Sequence, residues 1–117
     1  MEQETVRKAV VKAKDTHSRS FNHLTDNFHV IMSALRYYSV KKGKTFTSNE
    51  MAEDFPVSIP VAGSCLSLLE ELDVVKPRTR SSSPDRYMPR DTDMERMMEV
   101  KEILEKNYEI ENFMPDN

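Results

Sequence analysis

The sequence predicts a mainly α-helical chain with one small β-hairpin. Three observations carry this. Apolar residues recur at three- and four-residue steps through most of the chain. Two capping boxes mark helix starts. One short basic stretch, rich in turn residues, lies between a β-branched pair and an aromatic strand candidate. The 117 residues fit one domain, residues 1–117. At 38% hydrophobic and 32% charged, the chain can build a core and is not predicted to be disordered as a whole. A chain this small buries only part of its surface, so a dimer core would add stability.

The elements follow in order. Glu4 to Lys14 places Val6, Val10 and Ala13 on one helical face. His17 to Asn22 is polar and reads equally as a continuation, a kink or a loop. Asp26 or Asn27 then caps a helix with the stripe Phe28, Ile31, Met32, Leu35 and Tyr38. Lys41 and Lys42 suit its C-terminal dipole, and Gly43 suits a left-handed stop. Thr45 to Thr47 is a short extended piece.

Thr47 and Glu50 form a capping box that opens a short helix through Met51, Ala52 and Phe55. Pro56 ends it, because the residue before proline is pushed out of the helical region. Ser58 caps the next helix, and Pro60 is tolerated in its first turn. Ala62, Leu66, Leu69 and Leu72 give that helix an apolar face, with Cys65 beside it. Two helices joined by a tight turn at Pro56–Ser58 make a helix-turn-helix arrangement. Val74-Val75 and Arg86-Tyr87-Met88 are the two strands of a hairpin with a long tip. Thr92 and Glu95 form the second capping box. The helix after it carries Met97, Val100, Leu104 and Tyr108, with Ile103 and Ile110 widening the face. Phe113 to Asn117 is expected to be a loose tail.

The net charge of -3 hides a segmental pattern. Residues 1–44 balance to +5, residues 45–75 to -6, residues 76–90 to +4 and residues 91–117 to -6. A net acidic chain is a poor non-specific polyanion binder. The basic block at 76–90 keeps nucleic acid in contention.

Other function classes have little support. The two glycines, Gly43 and Gly63, are too few for a glycine-rich phosphate loop. No apolar run approaches the roughly 20 residues of a membrane span. Met1 to Lys14 has no apolar signal region, so the chain reads as cytoplasmic with no membrane partner. Cys65 is the single cysteine, which excludes a disulfide scaffold within one chain and reads first as a small buried hydrophobe. A redox-sensing thiol is the second reading of it. His17, His23 and His29 recur every six residues and do not share a helical face, so no metal site is expected. Glu50, Glu53 and Asp54 read as capping and a solvated face. No nucleophile triad, carboxylate pair or cofactor cradle can be assembled, and the chain is not expected to be an enzyme.

The order of helices, tight turn, hairpin and long helix resembles the winged-helix regulators of transcription, in particular the PadR, MarR and ArsR-like groups of bacteria and archaea. Residues Phe46 to Pro89 carry the resemblance. Cys65 to Val75 is similar to the second motif helix running into the first wing strand. Arg86-Tyr87-Met88-Pro89 is similar to the second wing strand. Size, helix order and acidic balance also resemble small PadR-like regulators of haloarchaea linked to oxidative stress. The resemblance implies a winged helix-turn-helix core at residues 26–90, with N- and C-terminal dimerisation elements at 1–25 and 91–117.

It also implies jobs for residues. The helix from Ser58 would lie in the major groove of double-stranded DNA, turning Ser58, Pro60, Val61, Ser64 and Ser67 to base edges. Arg78, Arg80 and Arg86, with Ser81, Ser82 and Ser83 at the tip, would meet phosphates or the minor groove. Lys44, Thr47 and Ser48 would meet a phosphate at the start of the first motif helix. The terminal stripes can pack on their own domain or across a two-fold axis; the resemblance implies the second, with Val6, Val10, Met97, Val100, Leu104 and Tyr108 as a homodimer interface that sets two reading helices on a pseudo-palindromic operator. One departure stands out: the reading helix has no Lys or Arg. Two accounts of it stay open. The wing and N-terminal segment supply the charge, or the protein works in high salt, with salt ions bound at the DNA interface. The rival function is a protein–protein interaction module on the same fold, without DNA.

Overall fold

The computed structural model describes residues 2–40, 45–79, 86–89 and 91–107, with side chains over 6–40, 45–76, 86–89 and 93–106. The expected stop at Lys41–Gly43, the contacts assigned to Lys44, Arg80, Ser81, Ser82 and Ser83, the dimer role of Tyr108 and the tail lie outside the described residues. The chain is mainly helical. Its elements are α1 (Glu2–Thr16), α2 (Ser18–Asp26), α3 (Phe28–Val40), α4 (Ser48–Asp54), α5 (Ile59–Glu71), β1 (Pro77–Thr79), β2 (Arg86–Tyr87) and α6 (Asp91–Asn107).

The open stretch at His17–Asn22 resolves as a kink followed by helix. His17 leaves helical geometry at φ -132°, ψ 56°, and α2 starts directly after it. Phe21, Leu24 and Thr25 are the buried side of α2. The expected cap at Asn27 is instead a bend. Hydrogen bonding runs through it: Asn27 donates its backbone N–H to the His23 carbonyl at 3.1 Å, and Ile31 donates to the Asn27 carbonyl at 3.0 Å. The Asn27 side chain also turns back to the His23 carbonyl, so it caps nothing ahead of it.

The middle of the chain follows local chemistry. The Glu50 N–H donates to Thr47 Oγ1 and the Thr47 N–H donates to Glu50 Oε1, both at 3.1 Å, which closes the capping box of α4. Phe55 is extended before Pro56, and the chain turns at once into α5. Ser58 Oγ accepts the Val61 N–H at 3.3 Å as the α5 cap. At the other end of α5, Asp73 is left-handed at φ 63°. The Asp73 N–H donates to Glu70 O, and the Val74 N–H donates to Leu69 O. This is a Schellman closure with aspartate in the place glycine usually takes.

That closure corrects the first strand. Val74 and Val75 are buried at 0% and 1% exposure, and their N–H groups turn back to Leu69, so they seal the helix end and do not form a strand. β1 starts at Pro77 and pairs antiparallel with β2. Phe46 bridges the other edge of β2 through two 2.8 Å hydrogen bonds with Tyr87. β2 therefore lies between Phe46 and β1. The second capping box is also corrected: α6 begins at Asp91, which puts Thr92 inside the first turn instead of ahead of it.

One apolar core joins the six helices of the described residues. α5 packs mainly against α2 and α4, and α1 packs against α2 and α6. Val6, Val10, Met97, Val100 and Leu104 are at most 1% exposed within the single chain. The stripes of α1 and α6 thus cover each other and the core. Of the two ways to bury these stripes, on their own domain or across a two-fold axis, the structure shows the first: α1 packs on both α2 and α6.

Candidate nucleic-acid interface

The site is built on α5. Its buried side is Ala62, Cys65, Leu66, Leu68 and Leu69. Its exposed residues include Ser58, Ile59, Pro60, Ser67 and Glu71, while Val61, Gly63, Ser64 and Glu70 are half-buried. Of the expected base-reading set, Ser58, Pro60 and Ser67 are therefore on the surface. Val61 packs against the core. Ser64 Oγ donates to Ser20 Oγ at 2.8 Å, so its hydroxyl faces α2 and not outward. Gly63 lies against α4: a methyl there would sit 3.9 Å from Ser48 Oγ, an ordinary contact.

The residues expected at the start of α4 are largely engaged. Thr47 is 5% exposed, and its hydroxyl accepts the Glu50 N–H, so little of it reaches the surface. Ser48 is half-buried, with a long 3.5 Å contact to Asn49 Oδ1. Arg86 is also engaged. Its Nε donates to Thr45 Oγ1 at 2.9 Å, and its Nη2 stands 3.6 Å from Glu50 Oε2. It ties β2 to the start of α4 where the sequence reading had it facing DNA. Arg78 lies in β1.

An aromatic column fixes the root of the hairpin. Tyr38 stacks on Phe46 at 4.2 Å and 5°, and Phe46 leans on Tyr87 at 5.7 Å. The Tyr38 hydroxyl donates to Asp54 Oδ2 at 2.7 Å, linking α3 to the end of α4. Burial, then the Asp54 carboxylate, push that hydroxyl above its ordinary titration range.

Cys65 is 0% exposed, and burial pushes its thiol up to about 12. A thiol so placed is neutral and shielded at ordinary pH, which fits the buried-hydrophobe reading and not a direct oxidant sensor. Among the described residues, no group of three or more His, Cys, Asp or Glu side chains comes together as a metal site. No described helix is long and apolar enough to cross a membrane.

The sequence reading missed the surface beside α5. His17 and Ser20 of the α1–α2 kink, with Ser67, Leu68 and Glu71 of α5, line an open depression of about 70 Å³. The signal available for α2 was the Phe21, Leu24, Phe28 spacing, which runs through the kink into the next helix. No protein family, curated protein or solved structure matches this chain.

Proposed function

We propose that this chain is a winged helix-turn-helix transcription regulator that binds a pseudo-palindromic double-stranded DNA operator as a homodimer. The observation that carries the reading is the pairing of Phe46 with Tyr87 across β2 from β1. It pins the hairpin beside the α4–turn–α5 unit. A duplex that takes α5 in its major groove then has the hairpin next to its backbone. The exposed Ser58, Pro60 and Ser67 supply hydroxyl and apolar contacts to base edges. Positive charge comes from the hairpin block at 76–90 and from the N-terminal helices.

With Val6, Val10, Met97, Val100 and Leu104 inside the protomer, a second copy meets the outer faces of α1 and α6. Val11 at 46% and Met98 at 38% exposure are the large apolar side chains there. The test is a selection of preferred sites from random duplexes at low and high salt. An enriched two-fold sequence supports the reading, and no enrichment at either salt sinks it. A protein-interaction module is the second reading. It is favoured by Val40, 75% exposed, and Tyr37, 42% exposed, at the end of α3.

A further inference from the structure

We infer that the α1–α2 kink is a phosphate-contact surface, with Arg19 as its principal ligand for the duplex read by α5. The inference rests on the DNA-binding reading above. A helix in the major groove, which is about 12 Å wide, has a phosphate backbone on each side. The elements that flank the helix are the ones that meet those backbones. α5 is flanked by α4 and α2.

The two flanks differ in charge. α4 carries Glu50, Glu53 and Asp54 and no Lys or Arg, which repels phosphate. α2 carries Arg19 in its first turn, and its one acid, Asp26, is at the opposite end; Asp15, exposed at the end of α1, is the acid on the other side of the kink. Arg19 is exposed, as are its neighbours His17 and Ser18. Ser20, the next residue, is held to Ser64 of α5 at 2.8 Å, so this end of α2 is fixed against the reading helix. His17 and Ser20 share an open depression with Ser67, the exposed serine of α5. Glu71 lines the same depression and disfavours phosphate inside it. That leaves Arg19, exposed two residues past the kink, as the contact. The positive charge that α5 lacks thus stands beside it on a different helix.

The experiment is fluorescence anisotropy of the full chain with a labelled duplex, titrated across a salt series. Four proteins are compared: the unaltered chain, Arg19→Gln, Arg19→Lys and Arg36→Gln. Arg36 is exposed on α3, whereas the main packing partners of α5 are α2 and α4. Arg19→Gln removes one phosphate contact from each protomer of the dimer, so it is expected to make the slope of log affinity against log salt shallower by about 1.8. The affinity change between about 50 and 200 mM salt then shrinks by roughly 12-fold. Arg19→Lys restores the slope, Arg36→Gln leaves it unchanged, and thermal melts of all four coincide. An unchanged slope in Arg19→Gln, or an equal loss in Arg36→Gln, overturns the inference and leaves the DNA reading standing. Absence of duplex binding by the unaltered chain overturns the DNA reading itself, and this surface with it.

Discussion

Arg86 separates a structural role from a nucleic-acid role, and Arg86→Ala tests the difference. The guanidinium makes a part-buried hydrogen bond to Thr45 Oγ1 at 2.9 Å. Losing such a bond costs about 1 kcal/mol, and a little more because the donor is charged. The second contact, 3.6 Å to Glu50, joins side chains 41% and 46% exposed. Solvent and salt screen such a pair, so it adds only about 0–0.5 kcal/mol. Together the substitution is expected to lower stability by about 1–2 kcal/mol, most of it insensitive to salt. Urea unfolding followed by circular dichroism, at low and high salt, measures this directly. The salt slope of duplex binding, measured in parallel, is expected to stay where it is in the unaltered chain. Unchanged stability together with a slope shallower by about 1.8, one contact per protomer of the dimer, would refute the structural role and return Arg86 to the phosphate backbone.

Four further outcomes are expected. Cys65 should resist thiol reagents and peroxide in the native protein and react at once in urea; fast native labelling would contradict its burial. Its folded-state titration is raised, so its contribution to stability is full below the ordinary thiol value of 9.0 and is lost as pH rises towards about 12. Tyr38 is raised too and acts in the same direction. Unfolding free energy should therefore fall above about pH 9, and less steeply in Cys65→Ala; a flat profile would count against both groups. Gly63→Ala should stabilise the fold by about 0.5–1 kcal/mol, because it relieves helical glycine entropy. There is room for the methyl 3.9 Å from Ser48 Oγ, and a lower melting temperature would show that α4 and α5 approach more tightly than this. Val11→Glu combined with Met98→Glu should convert a dimer to monomer, read by light scattering, without lowering the melting temperature. A dimer that survives both changes places the two-fold interface elsewhere.

What the sequence determined by itself is what short-range chemistry determines. The capping box of Thr47 and Glu50, the Ser58 cap and the break before Pro56 each join groups within three residues. Neighbours along the chain meet whatever the rest of the molecule does. The apolar stripes also identified which faces are buried, since helical period alone decides that. It did not decide what buries them. Val6 and Val10 read as an interface, and the tertiary structure covers them within one chain through the packing of α1 on α2 and α6. Arg86 and Ser64 read as outward-facing, and each found a partner far away in sequence: Thr45 at 41 residues, Ser20 at 44. Polar side chains of this kind satisfy either water or a distant group, and no local pattern distinguishes the two. The same limit applied to Arg19, an ordinary surface base until α2 packed beside α5. Local hydrogen bonds and periodicity are written in neighbouring residues, whereas exposure depends on which surfaces meet.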